Sequence, residues 1–166
     1  MIFTAGECMA ANQQRPGEYV RPGRPGVSDP DYRHHHNRPT YFITENGVFF
    51  DGRVVKGASP SSFAILRDGY AKDTWNVYYE GKIINGAASG SFEVIGYGYA
   101  KDAWNVYFDG KIVQGAASNS FNVLSDWYAA DAWNVYFAGK KLNGASTMNF
   151  SVLGNGYAKD AWNVYY

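Results

Sequence analysis

Asp73, Asp102, Asp131 and Asp160 are spaced by 29 residues, and each is followed two positions later by a tryptophan (Trp75, Trp104, Trp133, Trp162) and three later by an asparagine (Asn76, Asn105, Asn134, Asn163). Carboxylate and amide oxygens at such spacing could line up as calcium ligands. The same residue types close Asx turns by bonding nearby backbone N–H groups, and Lys72, Lys101 and Lys159 stand beside three of the aspartates to balance their charge. A turn role is therefore expected, with no metal and no cofactor. The tryptophans could offer a stacking face for sugar rings or bases. Strand alternation places Trp75, Val77 and Tyr79 on one face, so the expectation is a packed aromatic ladder between units. Tyr78, Tyr107, Tyr136 and Tyr165 then fall on the opposite face as a repeated contact surface.

Other reactive side chains are few. His34, His35 and His36 are contiguous in a proline-rich stretch without the carboxylate or cysteine partners of usual metal sites. Cys8 is the only cysteine, which excludes an intramolecular disulfide or a multi-cysteine zinc site. No nucleophile-elbow, phosphate-loop or HExxH pattern occurs, and stacked identical carboxylates give no reason for one pKa to rise while another falls. The expectation is a protein that is not an enzyme.

Elements that would hold these residues are legible from the repeat. Tyr70, Tyr99, Tyr128 and Tyr157 keep the same 29-residue period, as do Phe63, Phe92, Phe121, Phe150 and Gly57, Gly86, Gly115, Gly144, without insertions. A decayed copy, Tyr41 to Phe50, precedes them by one period. Within a unit, Asn76 to Ile84 is a β-rich run broken by Glu80-Gly81, equivalent to Asp51-Gly52, Asp109-Gly110 and Ala138-Gly139; a Gly-bearing two-residue break predicts a hairpin. Ser62 to Leu66 predicts another short strand with Phe63 and Ile65 on one face.

An all-β fold follows, supported by 17% aromatic residues and 19 glycines. One 29-residue unit cannot bury its aromatic face alone, so antiparallel β-repeats must stack as an open solenoid-like array, with a small β-propeller as the alternative. The chain divides into an extended Pro/Arg-rich arm, residues 1–40, and a β-repeat domain, residues 41–166. That domain comprises a half unit, 41–50, and four units, 51–79, 80–108, 109–137 and 138–166. Five of the six prolines and five of the seven arginines lie in the arm. Proline fixes φ and removes backbone donors, so the arm is expected to be irregular or polyproline-like.

The segments GYAKDTWNVYY, GYAKDAWNVYF and GYAKDAWNVYY, with their acidic-Gly-Lys turns and GA…SF connectors, resemble the DKNYY-repeat family over about residues 41–166. The family's D-K-N core here reads Asp73-Thr74-Trp75-Asn76 or Asp102-Ala103-Trp104-Asn105. The resemblance implies a bacterial β-repeat protein. It implies no reaction and supplies no catalytic residue.

Charge is balanced at 15 basic and 15 acidic residues, which argues against wholesale binding of nucleic acid or anionic lipid, and no apolar stretch approaches the ~18–20 residues of a membrane span. The first residues lack the basic and apolar regions of a secretory signal. An extracellular or cell-surface location is expected if a signal was removed, and a cytoplasmic one otherwise. The first functional expectation is a structural subunit that self-assembles head to tail into a filament or surface fibre. Its contacts would be Tyr19, Arg21, Arg24 and Tyr32 in the arm with Tyr165 and Tyr166 at the repeat end, and its partner would be the protein itself. The alternative is a soluble module that binds one protein partner or acts like a lectin or toxin neutraliser through an aromatic repeat face.

Overall fold

Two turn types, each written into every repeat, fold the chain into small antiparallel meanders. The computed structural model describes residues 40–166 apart from 126. The arm, with Cys8, Tyr19, Arg21, Arg24, Tyr32 and the three histidines, lies outside the described residues. The first sheet comprises β1 (Tyr41–Thr44), β2 (Gly47–Phe50) and β3 (Arg53–Val54). The second comprises β4 (Ala64–Ile65), β5 (Tyr70–Lys72), β6 (Val77–Tyr79) and β7 (Lys82–Ile83). The third, β8 (Glu93–Gly96), β9 (Tyr99–Lys101), β10 (Val106–Phe108) and β11 (Lys111–Ile112), repeats the second. So does the fourth, β12 (Asn122–Ser125), β13 (Tyr128–Ala130), β14 (Val135–Phe137) and β15 (Lys140–Lys141). The fifth has β16 (Ser151–Gly154), β17 (Tyr157–Lys159) and β18 (Val164–Tyr165).

The acidic-Gly hairpins form as expected. Glu80 and Gly81 take φ of 47° and 76°, and Asp109 and Gly110 take 47° and 74°, the doubly positive pattern of a type I′ turn between β6 and β7 or β10 and β11. Glycine is required at the second position for a further reason. A Cβ on Gly110 would lie 2.7 Å from the Tyr79 ring of the preceding sheet.

Successive sheets pack face to face. Tyr70, Val77, Ile84 and Phe92 form one core cluster with Ala100 and Tyr107 of the next sheet, and Tyr99, Val106, Val113 and Phe121 repeat it with Ala129 and Tyr136. Phe92 bridges rings from two sheets, 5.5 Å from Tyr70 and 5.5 Å from Tyr107 between centroids. Each inner sheet is thus covered on both faces, so Val77 and Tyr78, neighbours in one strand, are both fully buried. The fold is an open all-β array of stacked meanders, with no closed barrel among the described residues.

Three expectations are corrected. The tryptophans do not form a packed ladder: Trp75, Trp104 and Trp133 are each 79% exposed and Trp162 is 87% exposed. They precede the strands, inside the turns, so strand alternation does not reach them. Tyr78, Tyr107 and Tyr136 are core residues and present no surface, because the stack covers the second sheet face too. Phe63 does not share a strand face with Ile65: it closes a 3-10 turn, Pro60–Ser62, and is buried, while Ile65 is exposed.

One copy departs from the others. Trp127 occupies the position of Gly69, Gly98 and Gly156, is buried, and holds φ at 66°, a conformation that costs a bulky side chain energy.

Candidate functional site: the tryptophan turns

Each D-x-W-N segment is held by one carboxylate. Asp73 Oδ1 accepts the N–H groups of Trp75 at 2.8 Å and Asn76 at 2.7 Å, while Oδ2 accepts the Ser59 N–H at 3.0 Å and the Tyr78 hydroxyl at 2.7 Å. Asp102 repeats the set with Trp104, Asn105, Ala88 and Tyr107 at 2.7–2.8 Å. Asp131 and Asp160 do the same. Four donors saturate each carboxylate, so the aspartates act as turn staples, as their residue type predicts. Their oxygens face N–H and O–H groups, the reverse of what a cation site needs.

The staples also tie the turns into one continuous side of the array. Ser89, in the connector after the Asp73 turn, donates its hydroxyl to the Asp73 carbonyl, and the neighbouring Ala88 N–H reaches forward to Asp102. Ser91 Oγ accepts the Ala103 N–H at 3.1 Å, and Ser120 Oγ accepts that of Ala132 at 3.1 Å. Tryptophan turns and serine-rich connectors therefore alternate along this side. Lys72 is spent internally, donating to the Ser89 and Phe92 carbonyls at 3.1 Å each.

At the other end of the strands a tyrosine does the joining. The Tyr70 hydroxyl donates to the Gly98 carbonyl at 3.0 Å and accepts the Gly110 N–H at 3.0 Å, clamping both hairpins of the next sheet. Tyr99 makes the same pair with the Trp127 carbonyl and the Gly139 N–H. These bonds fix how one sheet sits on its neighbour, and so fix the interval between tryptophan turns. Face-to-face sheets stand about 10 Å apart, which sets the scale of that interval.

Electrostatics follow from this bonding. Burial pushes the Asp73, Asp102 and Asp131 carboxyls up, but the hydrogen bonds they accept outweigh it and hold them below the ordinary carboxylate value of 3.8. Asp160 is lowered chiefly by the Ser146 N–H, with the Tyr165 hydroxyl next. Burial and the adjacent carboxylate raise Tyr78, Tyr107 and Tyr136 above 10.0, Tyr136 to about 12; burial alone leads for Tyr41, also raised to about 12.

The signs give a pH profile. Depressed aspartates contribute stability that is present above about pH 3.8 and lost as pH falls through their folded values; raised tyrosines contribute stability present below about pH 10 and lost as pH rises through theirs. Urea midpoints measured from pH 2 to 12 are expected to form a plateau with a fall at each end. A maximum confined to a narrow band around neutrality would contradict the assignment.

The remaining predicted positions sort as follows. Tyr165 is half-buried, its hydroxyl on Asp160 at 2.7 Å, which makes it the staple's partner in the fifth sheet. Tyr166 is exposed, with its ring 4.5 Å from that of Tyr157. Tyr157 is 45% exposed where its counterparts Tyr70, Tyr99 and Tyr128 are buried by a following sheet. Sequence reasoning missed the connector serines, whose signal was their repetition beside Gly86, Gly115 and Gly144. Away from the tryptophan side, a shallow depression is lined by Phe50, Tyr79, Glu80, Lys82, Ile83 and Asp109, a set with no histidine or cysteine. No group of His, Cys, Asp and Glu among the described residues could hold a metal ion, and no described helix is long and apolar enough to cross a membrane.

Comparison with curated proteins and with solved structures finds no match. The family comparison finds one: residues 41–166 match the DKNYY family, over the whole of the stapled, stacked array. The chain belongs to the DKNYY family.

Proposed function

We propose that this protein is a non-catalytic binding scaffold whose contact surface is the tryptophan side of the array. The observation that carries this reading is the exposure of four indoles at the same position of four stapled turns. Tryptophan is rarely left in water at this density, since each ring withholds a large apolar area from burial. The fold does not need the rings outside: the staple is made by the Trp75 backbone N–H and leaves the side chain unconstrained by chemistry. Because the N–H groups of Trp75 and Asn76 are already fixed, the turn backbone loses little entropy on binding.

The test compares the full chain with a variant carrying Trp75→Ser, Trp104→Ser, Trp133→Ser and Trp162→Ser on peptide and glycan arrays. Exposed side chains contribute little to stability, so the variant is expected to unfold within about 0.5 kcal/mol of the parent per site. The parent is expected to retain ligands that the variant loses. Equal retention by both, or none by the parent on either array, overturns the reading.

A second reading, head-to-tail assembly, is favoured by the exposed apolar residues of the first and fifth sheets. Tyr157, Val164 and Tyr166 of the fifth sheet are exposed, although the equivalent Tyr70 and Val77 are covered by the next sheet. Phe42 of the first sheet is exposed as well. The occupant this face fits is a sheet from a second copy, as between neighbours within one chain. Light scattering is expected to show concentration-dependent growth of the full chain and its loss in Tyr157→Glu; a monomer at all concentrations removes this reading.

A further inference from the structure

We propose that the tryptophan side binds a neutral, linear polysaccharide laid along the array; this deepens the scaffold reading and rests on it. Three observations choose this ligand.

The first is charge. The turns 74–76, 103–105, 132–134 and 161–163 and the connectors 85–91, 114–120 and 143–149 contain no Lys, Arg, Asp or Glu, and the first connector, 56–62, carries only Lys56. Most nearby ionic groups are consumed: the staple aspartates are buried with four donors each, the Lys72 amine is held by two carbonyls and Lys101 pairs with Glu93 at 3.5 Å, while Lys159 is exposed. A nucleic acid could stack bases on the indoles, but its phosphates would find no cation in the turns themselves and only Lys56 in the four connectors. A strongly charged peptide meets the same lack. An uncharged polymer is the ligand such a surface complements.

The second is the mixture of groups. A pyranose ring has an apolar C–H face and hydroxyls around its edge. Trp75, Trp104, Trp133 and Trp162 offer flat apolar area for the former. Exposed Ser61, Ser91 and Asn119 offer hydroxyl and amide groups for the latter. Between the rings the surface is low: Gly86, Gly90 and Gly115 have open space where a side chain would begin. Sugar rings therefore reach the indoles without obstruction from the connectors.

The third is repetition. Identical turns recur at an interval set by sheet stacking, on the order of 10 Å. A ligand that repeats along its own length can satisfy every turn with the same contact. Binding then gains by effective concentration, each ring engaged raising the local availability of the next.

The test is affinity electrophoresis of the full chain in gels containing glucomannan, arabinoxylan or dextran, with alginate as the charged control, followed by titration with neutral oligosaccharides of increasing length. Retardation by at least one neutral polymer and not by alginate is expected, with roughly tenfold weaker binding for each tryptophan replaced, the loss of one stacking contact. Affinity is expected to climb as the oligosaccharide grows long enough to reach a second and then a third indole. Emission from the four exposed tryptophans should shift on binding, while a variant retaining only the buried Trp127 stays silent. No retardation by any neutral polymer, retardation by alginate alone, or affinity independent of length overturns the proposal. Peptide-array ligands lost in the four-serine variant would then leave the scaffold reading standing, and their absence too would remove both.

Discussion

Asp102→Asn is expected to lower the stability of the array by roughly 3 kcal/mol and its thermal midpoint by about 10 °C. The carboxylate accepts four hydrogen bonds, two at each oxygen. An amide in its place must turn an NH2 group toward one pair of donors. If it faces Ala88, two N–H groups oppose each other; if it faces Trp104 and Asn105, three do. Each buried donor left without an acceptor costs about 1–3 kcal/mol, and the buried Tyr107 hydroxyl loses its charged partner in either case. Asp160→Asn is expected to cost less, since its partner Tyr165 is only half-buried and water can reach the freed groups. Urea denaturation of both variants checks the order. A loss below about 1 kcal/mol for Asp102→Asn would mean the carboxylate is replaceable in the turn.

Phe121→Ala is expected to cost about 3–5 kcal/mol, the range for truncating a buried aromatic side chain. Phe121 is almost wholly buried and lies 5.4 Å from Tyr99 in the third sheet and 5.4 Å from Tyr136 in the fourth. Its removal empties the seam between two sheets and leaves each sheet's own ladder intact. In a stacked array stability is a sum of unit and neighbour terms, so a weakened seam should also split unfolding into two steps. Hydrogen exchange is expected to show sheets on the two sides of the seam losing protection separately. A single cooperative transition with the parent's slope would show that the Tyr99 clamp alone couples them.

The turns were legible because their chemistry is local. Glu80-Gly81 needs positive φ at both positions, and Asp73 finds its acceptor role within three residues, so residue type alone announces each. The faces were not legible in the same way. Alternation assumes one buried side per strand, whereas Val77 and Tyr78 are both buried because a sheet lies above and another below. The unbroken apolar run Val77-Tyr78-Tyr79 was the available sign, since a strand covered on both faces has no reason to alternate. Carrying alternation back from the strand into Asp73-Thr74-Trp75-Asn76 is what turned Trp75 inward; β6 begins only at Val77. Phe63 was misplaced for a related reason. The Pro60–Ser62 turn delivers its ring to the core between Tyr41 and Tyr78, with centroids 5.4 and 5.3 Å away, and no strand is needed to aim it.

The hydroxyl clamp made by Tyr70 is made also by Tyr41 and Tyr99 with the sheet that follows each, while Tyr128 makes the half of it that reaches the Gly156 carbonyl. Three successive junctions are thereby of one kind. Excision of any 29 consecutive residues from the interior would rejoin partners already suited to each other, and duplication would insert a junction of the same sort. Such events would change the number of indoles in the row by one at a time, each adding or removing one unit and one junction, making reach a quantity that heredity can adjust in whole steps.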